Sequence, residues 1–194
     1  MRIDHVIYAT ADLDSATARL EAELERPAAG GGRHDGLGTH NRVIPLGRGY
    51  VEVLAIADAD EAAGSALGRA VAARIEAAGD GVIGWAVAVD DVAAEAQRAG
   101  LEVTTIARQG LTARLAGVAE AMAEPCFPFF IERDPGVPDP AAAEHEGPGL
   151  EWVEVAGHQG RLAAWLGEAE ELPVRIVGGE PALLAVGIGD HVLQ

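Results

Sequence analysis

The feature that most constrains this chain is a pattern that occurs twice. Val6-Ile7-Tyr8-Ala9-Thr10-Ala11-Asp12-Leu13 lines up with Trp85-Ala86-Val87-Ala88-Val89-Asp90-Asp91-Val92. Each run opens with the apolar residues of a strand and ends on an aspartate suited to cap a helix. Behind the first aspartate, Leu13, Ala16, Leu20 and Leu24 recur at helical spacing until Arg26-Pro27 stops the helix. Behind the second, Val92, Ala96 and Ala99 do the same, and Gly100 offers a left-handed C-cap. A strand, cap and helix used twice read as an internal duplication.

Three further strands follow each helix. In the first copy a hairpin is predicted from His40 to Leu46 and Tyr50 to Ala57 about Gly47-Arg48-Gly49, behind a poorly defined strand. In the second, Leu101 to Ala107 and Leu111 to Leu115 turn about Gln109-Gly110, and Phe127 to Arg133 is the last strand. Between the copies Ser65 caps a connecting helix with Leu67, Val71, Ile75 and Ala78 on one stripe, stopped by Gly79-Asp80-Gly81. Trp152 to Val155, Gln159 to Leu166, and a hairpin of Val174 to Val177 with Leu183 to Ile188 about Gly178-Gly179-Glu180 make a C-terminal extension packed on the pair. The expected fold is α+β: two βαβββ modules, 1–58 and 82–134, forming a cupped mixed sheet. A connecting helix (59–81), a proline-rich linker (135–149) and a β-rich βαββ extension (150–194) complete it.

The chain's 194 residues, 49% of them hydrophobic, suffice for a shared core. A formal net charge of −17 argues against nucleic acid as a partner, because phosphate recognition needs clustered cations. The same charge would draw in cationic ligands, although solubility is its plainer purpose. No apolar run approaches the roughly 20 residues of a membrane span. The opening Met1-Arg2-Ile3-Asp4-His5-Val6 reads as a strand and not as a secretory signal. With Cys126 the single cysteine, a cytoplasmic protein is expected.

Strand alternation places Ile3, His5 and Ile7 on one face, with Val6 and Tyr8 on the other; Glu52 shares a face with Tyr50 and Leu54. A polar residue on an apolar face costs free energy unless it finds a partner, either a hydrogen bond or a metal. The glycine-rich run 30–38 lacks a lysine and the strand-loop-helix context of a phosphate cradle; it reads as a loop over the cup mouth. Nothing resembles a hydrolase elbow.

Two βαβββ modules, the segment Gly32-Arg33-His34-Asp35-Gly36-Leu37-Gly38-Thr39-His40-Asn41, then Tyr50-Val51-Glu52-Val53 and Pro128-Phe129-Phe130-Ile131-Glu132, resemble the glyoxalase-like proteins of the vicinal oxygen chelate superfamily. The resemblance implies metal ligands on the first and last strands of each module, which fall on His5, Glu52 and Glu132. It makes Glu52 and Glu132 the candidate catalytic groups, while His40 and Asn41, which flank the glycine-rich run and either touch a ligand or structure the loop, and Gly84, a small residue on the cup floor, are candidate substrate contacts. Gly84 matches His5 in the second copy, so one of the usual four ligands is missing, and His40 is the candidate stand-in. One imidazole with two carboxylates suits Mn, Fe, Ni or Zn. Two functions stay open: a divalent-metal-dependent isomerase or lyase on a small molecule with adjacent oxygens, or a metal-free drug- or metabolite-binding protein. A homodimer is compatible with both.

Overall fold

The computed structural model describes residues 1–108, 111–134, 136–142, 147–167 and 172–194; the turn expected at Gln109-Gly110 and His145 of the linker lie outside them. Module one runs β1 (Arg2–Ala9), α1 (Leu13–Leu24), β2 (Ala29–His34), β3 (Thr39–Pro45) and β4 (Tyr50–Ile56). Helices α2 (Ala59–Gly64) and α3 (Ala66–Ala78) lead to module two: β5 (Gly81–Ala88), α4 (Val92–Ala99), β6 (Val103–Arg108), β7 (Leu111–Ala116), α5 (Val118–Ala123) and β8 (Phe129–Arg133). The eight strands form one sheet in the order β2-β3-β4-β1-β5-β8-β7-β6. Each half thus repeats the same order outward from the centre, β1-β4-β3-β2 and β5-β8-β7-β6, with its first and last strands parallel. This is the duplication read from the sequence.

The two aspartates do what their position predicts. Asp12 accepts from the Ser15 N–H and Asp91 from the Ala94 N–H, each at 3.0 Å, a contact worth about 1 kcal/mol per helix. Behind them α1 and α4 lay Leu13, Leu20, Val92 and Ala96 on the outer face of the sheet. There they meet Val6, Tyr8, Val51, Val53, Trp85, Val87 and Phe130.

Where β1 meets β5 the pairing is antiparallel: His5 opposite Ala86, Val6 opposite Trp85, Ile7 opposite Gly84. The pattern is symmetric about the Val6–Trp85 pair. It is flanked by two bulges at matching places, Asp4 in β1 and Ile83 in β5. A bulge inserts one residue and reverses the alternation beyond it. Ile3 therefore joins the outer cluster with Val6 and does not share a face with His5 and Ile7 as strict alternation predicts.

Three other expectations change. Residues 29–34, which take in the first half of the glycine-rich run, are an edge strand paired with β3, and the remainder of the run, 35–38, is the turn that joins them. The pairing is interrupted between Ala29 and Gly32, where Gly31 has φ +115° and a Cβ would stand 2.2 Å from the Asn41 carbonyl oxygen; only glycine permits that approach. Helices α2 and α5, short and alanine-rich, were not foreseen. In the extension, β9 (Leu150–Ala156), α6 (Gln159–Leu166), β10 (Val174–Val177), β11 (Ala182–Ile188) and β12 (His191–Leu193) form a second sheet in the order β10-β9-β11-β12. β10 and β11 are not a hairpin, because the crossover through α6 sets β10 parallel to β9 on one side while β11 pairs on the other. This sheet shares the outer core, and Trp165 ties it to module two by stacking on Phe127 at 4.8 Å. Among the described residues no helix is long and apolar enough to cross a membrane.

Candidate functional site

The inner face of the sheet is closed at one end by α3 and α5, whose Val71, Ala121 and Met122 cover Ile7, Ala9, Leu54 and Ile83. Beyond that plug stands a row of polar side chains, all from module one or reaching into it. His5 lies at its centre. The ring is 3% exposed, stacked on Tyr50 at 4.6 Å between centroids and met edge-on by Phe129 at 5.4 Å. Its Nδ1 donates to Asp4 Oδ2 at 2.7 Å, so Nε2 faces Glu52, whose Oε2 is 3.6 Å away. That gap is too long for a direct hydrogen bond and suits a bridging water or a substrate oxygen.

The bulge makes this possible. The extra residue lets Asp4, completely buried, turn its carboxylate to the ring of its own neighbour. Arg133, from the far end of β8, grips that carboxylate with two bonds, Nη1 to Oδ1 at 2.6 Å and Nη2 to Oδ2 at 2.7 Å. It also donates to the Tyr50 hydroxyl at 3.1 Å. Burial opposes the charge on Asp4, but the bonds from His5 and Arg133 outweigh it and hold the carboxyl well below the usual carboxylate range. Burial likewise works against the Arg133 cation, and the bond to Asp4 more than restores it. Tyr50 is pushed well above the ordinary phenol value, first by burial and then by the charges of Asp4 and Glu52, so it stays protonated.

Glu52 is held from the other side. Asn41 donates to its Oε1 at 2.5 Å, and the Gly32 N–H fixes the Asn41 amide by donating to Oδ1 at 3.0 Å. His34 brings its Nε2 to 3.6 Å from Oε1 while its Nδ1 lies 2.9 Å from the Thr39 hydroxyl.

Of the residues singled out in the sequence, His5, Glu52 and Asn41 come together. Glu132 does not join them: it points to the helix-bearing face, where it accepts from the Val92 N–H at 2.8 Å at the start of α4 and pairs with Arg114. The cause is alternation along β8, which gives the inner face to Phe129, Ile131 and Arg133. His40 is opposite Ala55, an outer-face residue, and so turns away from Glu52. Gly84 does face the cup, but opposite Ile7, and a Cβ there would stand 2.5 Å from the Met122 methyl; the expected open space across from His5 is filled. Sequence reasoning missed Asp4, Tyr50 and Arg133. A single polar residue beside His5 and an arginine at a strand end were the signals available, and neither reveals a bulge.

Residues 3–170 match the family model described as the glyoxalase-like domain. The chain belongs to the glyoxalase-like domain family, within the vicinal oxygen chelate superfamily. A comparison with curated proteins found no match. Among solved structures, this glyoxalase-like chain is similar to a hypothetical protein from Staphylococcus aureus, at 16% identity and TM-score 0.67, over 94% of this chain and 88% of that one. It is similar also to the methylmalonyl-CoA epimerase from Mycobacterium tuberculosis, at 19% identity and TM-score 0.51, over 73% of this chain and 92% of that one. A Streptomyces coelicolor methylmalonyl-CoA epimerase in complex with 2-nitronate-propionyl-CoA gives 18% identity and TM-score 0.51, over 71% and 96%. At these identities the likeness is one of fold.

A divalent ion is the group the superfamily implies here, and the donors test its fit. His5 is prepared as a ligand, with Nδ1 held by a carboxylate and Nε2 presented. Glu52 is the second donor. Glu132, the expected third, is on the other face, and among the described residues no group of three or more His, Cys, Asp or Glu side chains is arranged to hold a metal ion. His34 also turns its Nε2 toward Glu52, at 3.6 Å from Oε1, but the three side chains are not drawn together as a group that would hold an ion, which a catalytic centre with three protein ligands requires. The described residues do not fit a resident ion, and no step below runs through one.

Proposed function

We propose that this glyoxalase-like protein binds a small molecule with adjacent oxygens in the module-one half of the cup and moves a proton on it, as an isomerase or lyase does. The observation that carries the reading is the line Asp4–His5–Glu52, with the ring clamped at Nδ1 and a 3.6 Å gap at Nε2. In that gap Glu52 takes the proton from a carbon beside a carbonyl, and the electron pair moves into the carbonyl to form an enolate. The His5 Nε2–H donates to the enolate oxygen, and the ionised Asp4 balances the imidazolium. His5 passes its Nε2 proton to that oxygen and takes up the proton of the adjacent hydroxyl, whose oxygen becomes the new carbonyl as Glu52 returns the carbon proton to the former carbonyl carbon, and the isomerisation is complete. Arg133, by holding Asp4, positions the ring and does not touch the substrate. The epimerases of similar fold act on an acyl-CoA; a proton removed beside a carbonyl is the chemistry carried over here, not their substrate.

The test is deuterium wash-in. Incubated in D2O with neutral α-hydroxy ketones, the parent protein is expected to exchange the α-proton faster than buffer, as read by the loss of its NMR signal. Glu52→Gln and His5→Gln are expected each to lower that rate about 10²–10⁴-fold, and chelator treatment to leave it unchanged. Saturable binding with exchange at the buffer rate would instead make this a metal-free binding protein. A stoichiometric Mn, Fe, Ni or Zn ion that disappears in His5→Ala would replace the reading with a metal-assisted one.

A further inference from the structure

The geometry points to a substrate of one class for this site: a neutral molecule with its oxygens at one end and an uncharged apolar group at the other. The inference rests on the proton-transfer reading above and names what else the substrate carries. The strand registers match the two halves of the cup residue by residue. His5 corresponds to Gly84 and Asp4 to Ile83 about the Val6–Trp85 pair. Glu52 lies beside Ile7 as Phe129 lies beside Ala86. One strand further out, Asn41 opposite Leu54 matches Leu115 opposite Ile131. At the edge, His34 opposite Thr39 matches Ile106 opposite Ala113. Asp4, His5, Glu52, Asn41 and His34 of the site therefore each have an apolar or side-chain-free counterpart in the second half.

That apolar wall is only partly covered. Met122 fills the place of Gly84, but Ala113 and Leu115 are half-buried and Ile106 is 40% exposed. The wall runs into the reacting site without a break, because Phe129 touches the His5 ring edge-on. An apolar face joined to a polar site is covered most economically by the rest of the molecule bound there. Charge argues for neutrality. Among the described side chains, the cation that reaches the site, Arg133, is held in a two-pronged pair by Asp4. With Arg133 held by Asp4, the His5 imidazolium stands against the Glu52 carboxylate, so among the described side chains of the site no cation is left over for an anionic substrate, in a chain of formal net charge −17.

Binding of three probes to the full chain tests this: 2-hydroxyacetophenone (neutral, aryl), hydroxyacetone (neutral, methyl) and mandelate (aryl, carboxylate). The aryl ketone is expected to bind about tenfold or more tightly than hydroxyacetone, from the added apolar area, and at least about tenfold more tightly than mandelate. Leu115→Gln is expected to shrink the aryl preference to about threefold or less, leaving hydroxyacetone unchanged. Ile106→Gln, at an exposed position that tolerates substitution, should move it the same way. Mandelate binding as tightly as the aryl ketone, or a preference unmoved in both variants, would overturn the inference. So would a dimer that Leu115→Gln dissociates without altering the preference, since the wall would then belong to a second copy. Aryl-selective binding without proton exchange would uphold the substrate class and sink the proton-transfer reading alone; exchange without aryl preference would do the reverse.

Discussion

Asp4, His5, Asn41 and Glu52 in one half of the cup stand where Ile83, Gly84, Leu115 and Phe129 stand in the other, on the same strand order and beside the same bulge. The backbone was copied with its irregularity intact, and the chemistry was not. A bulge is a way to re-aim a side chain: in the first half it turns a carboxylate onto a histidine, while in the second Ile83 joins the apolar cluster under α3 and α5. The helices explain the difference in part. Met122 of α5 occupies the space that a side chain at Gly84 would need, so core packing stands in the second half where the polar position stands in the first. One half carries a polar cluster and its twin an apolar wall.

The largest effect expected from this contrast is at the bulges. Asp4→Asn leaves the Arg133 cation without its carboxylate and weakens the hold on His5. Breaking a buried pair costs about 3–5 kcal/mol, and because the Arg133 side chain is 16% exposed the low end, about 3 kcal/mol, is expected from urea unfolding. Ile83→Val, at the matching place, should cost about 1 kcal/mol. Equal costs would mean that the two bulges hold their halves in the same way and would break the comparison.

Acid sharpens it next. Asp4 is depressed in the folded protein, so its contribution is fully present above the unfolded-state value of about 4 and is lost as pH falls from there toward the folded value. Stability of the parent should drop over that window, and Asp4→Asn should follow a flatter acid limb. Parallel limbs would assign the acid response to other carboxylates.

What the sequence could and could not reveal divides along the same line. The duplication, the caps at Asp12 and Asp91 and the inward Glu52 were legible because each depends on local periodicity or one side chain. His5 was placed correctly, although Ile3 was not, because a bulge is invisible in a pattern of alternating residues. Glu132 was assigned by its place late in the module, but its face is set by the β5–β8 register, which makes Phe129 the counterpart of Glu52. Arg133 is 129 positions from Asp4, and no short-range signal joins them.

A graft asks whether the lost position can be restored. Gly84→His alone should cost about 1–3 kcal/mol by overpacking against Met122. Combined with Met122→Ala, it should cost less than the sum of the two single changes by at least about 0.5 kcal/mol, since each relieves the other. Strict additivity in a double-mutant cycle would show that Met122 is not what closed the second site.

The smallest expected change in stability belongs to the residue on which the functional reading leans most. Glu52 is 9% exposed, and among the described residues its close bond is from Asn41; both histidine Nε2 atoms stand 3.6 Å off. Glu52→Gln keeps an oxygen to accept from Asn41 and removes one negative charge from a chain already at −17. The lost charge–imidazole attraction and the relieved repulsion oppose each other, so the unfolding midpoint is expected to move by no more than about 1 kcal/mol in either direction. The same variant should lose the α-proton exchange by two or more powers of ten. A group that matters to a reaction and little to the fold behaves in this way; its counterpart Phe129, 4% exposed in the apolar cluster, serves the fold. If Glu52→Gln instead cost more than about 2 kcal/mol, with exchange reduced only in proportion to the folded fraction, Glu52 would be a structural residue like its twin. The two halves would then differ in polarity without differing in purpose.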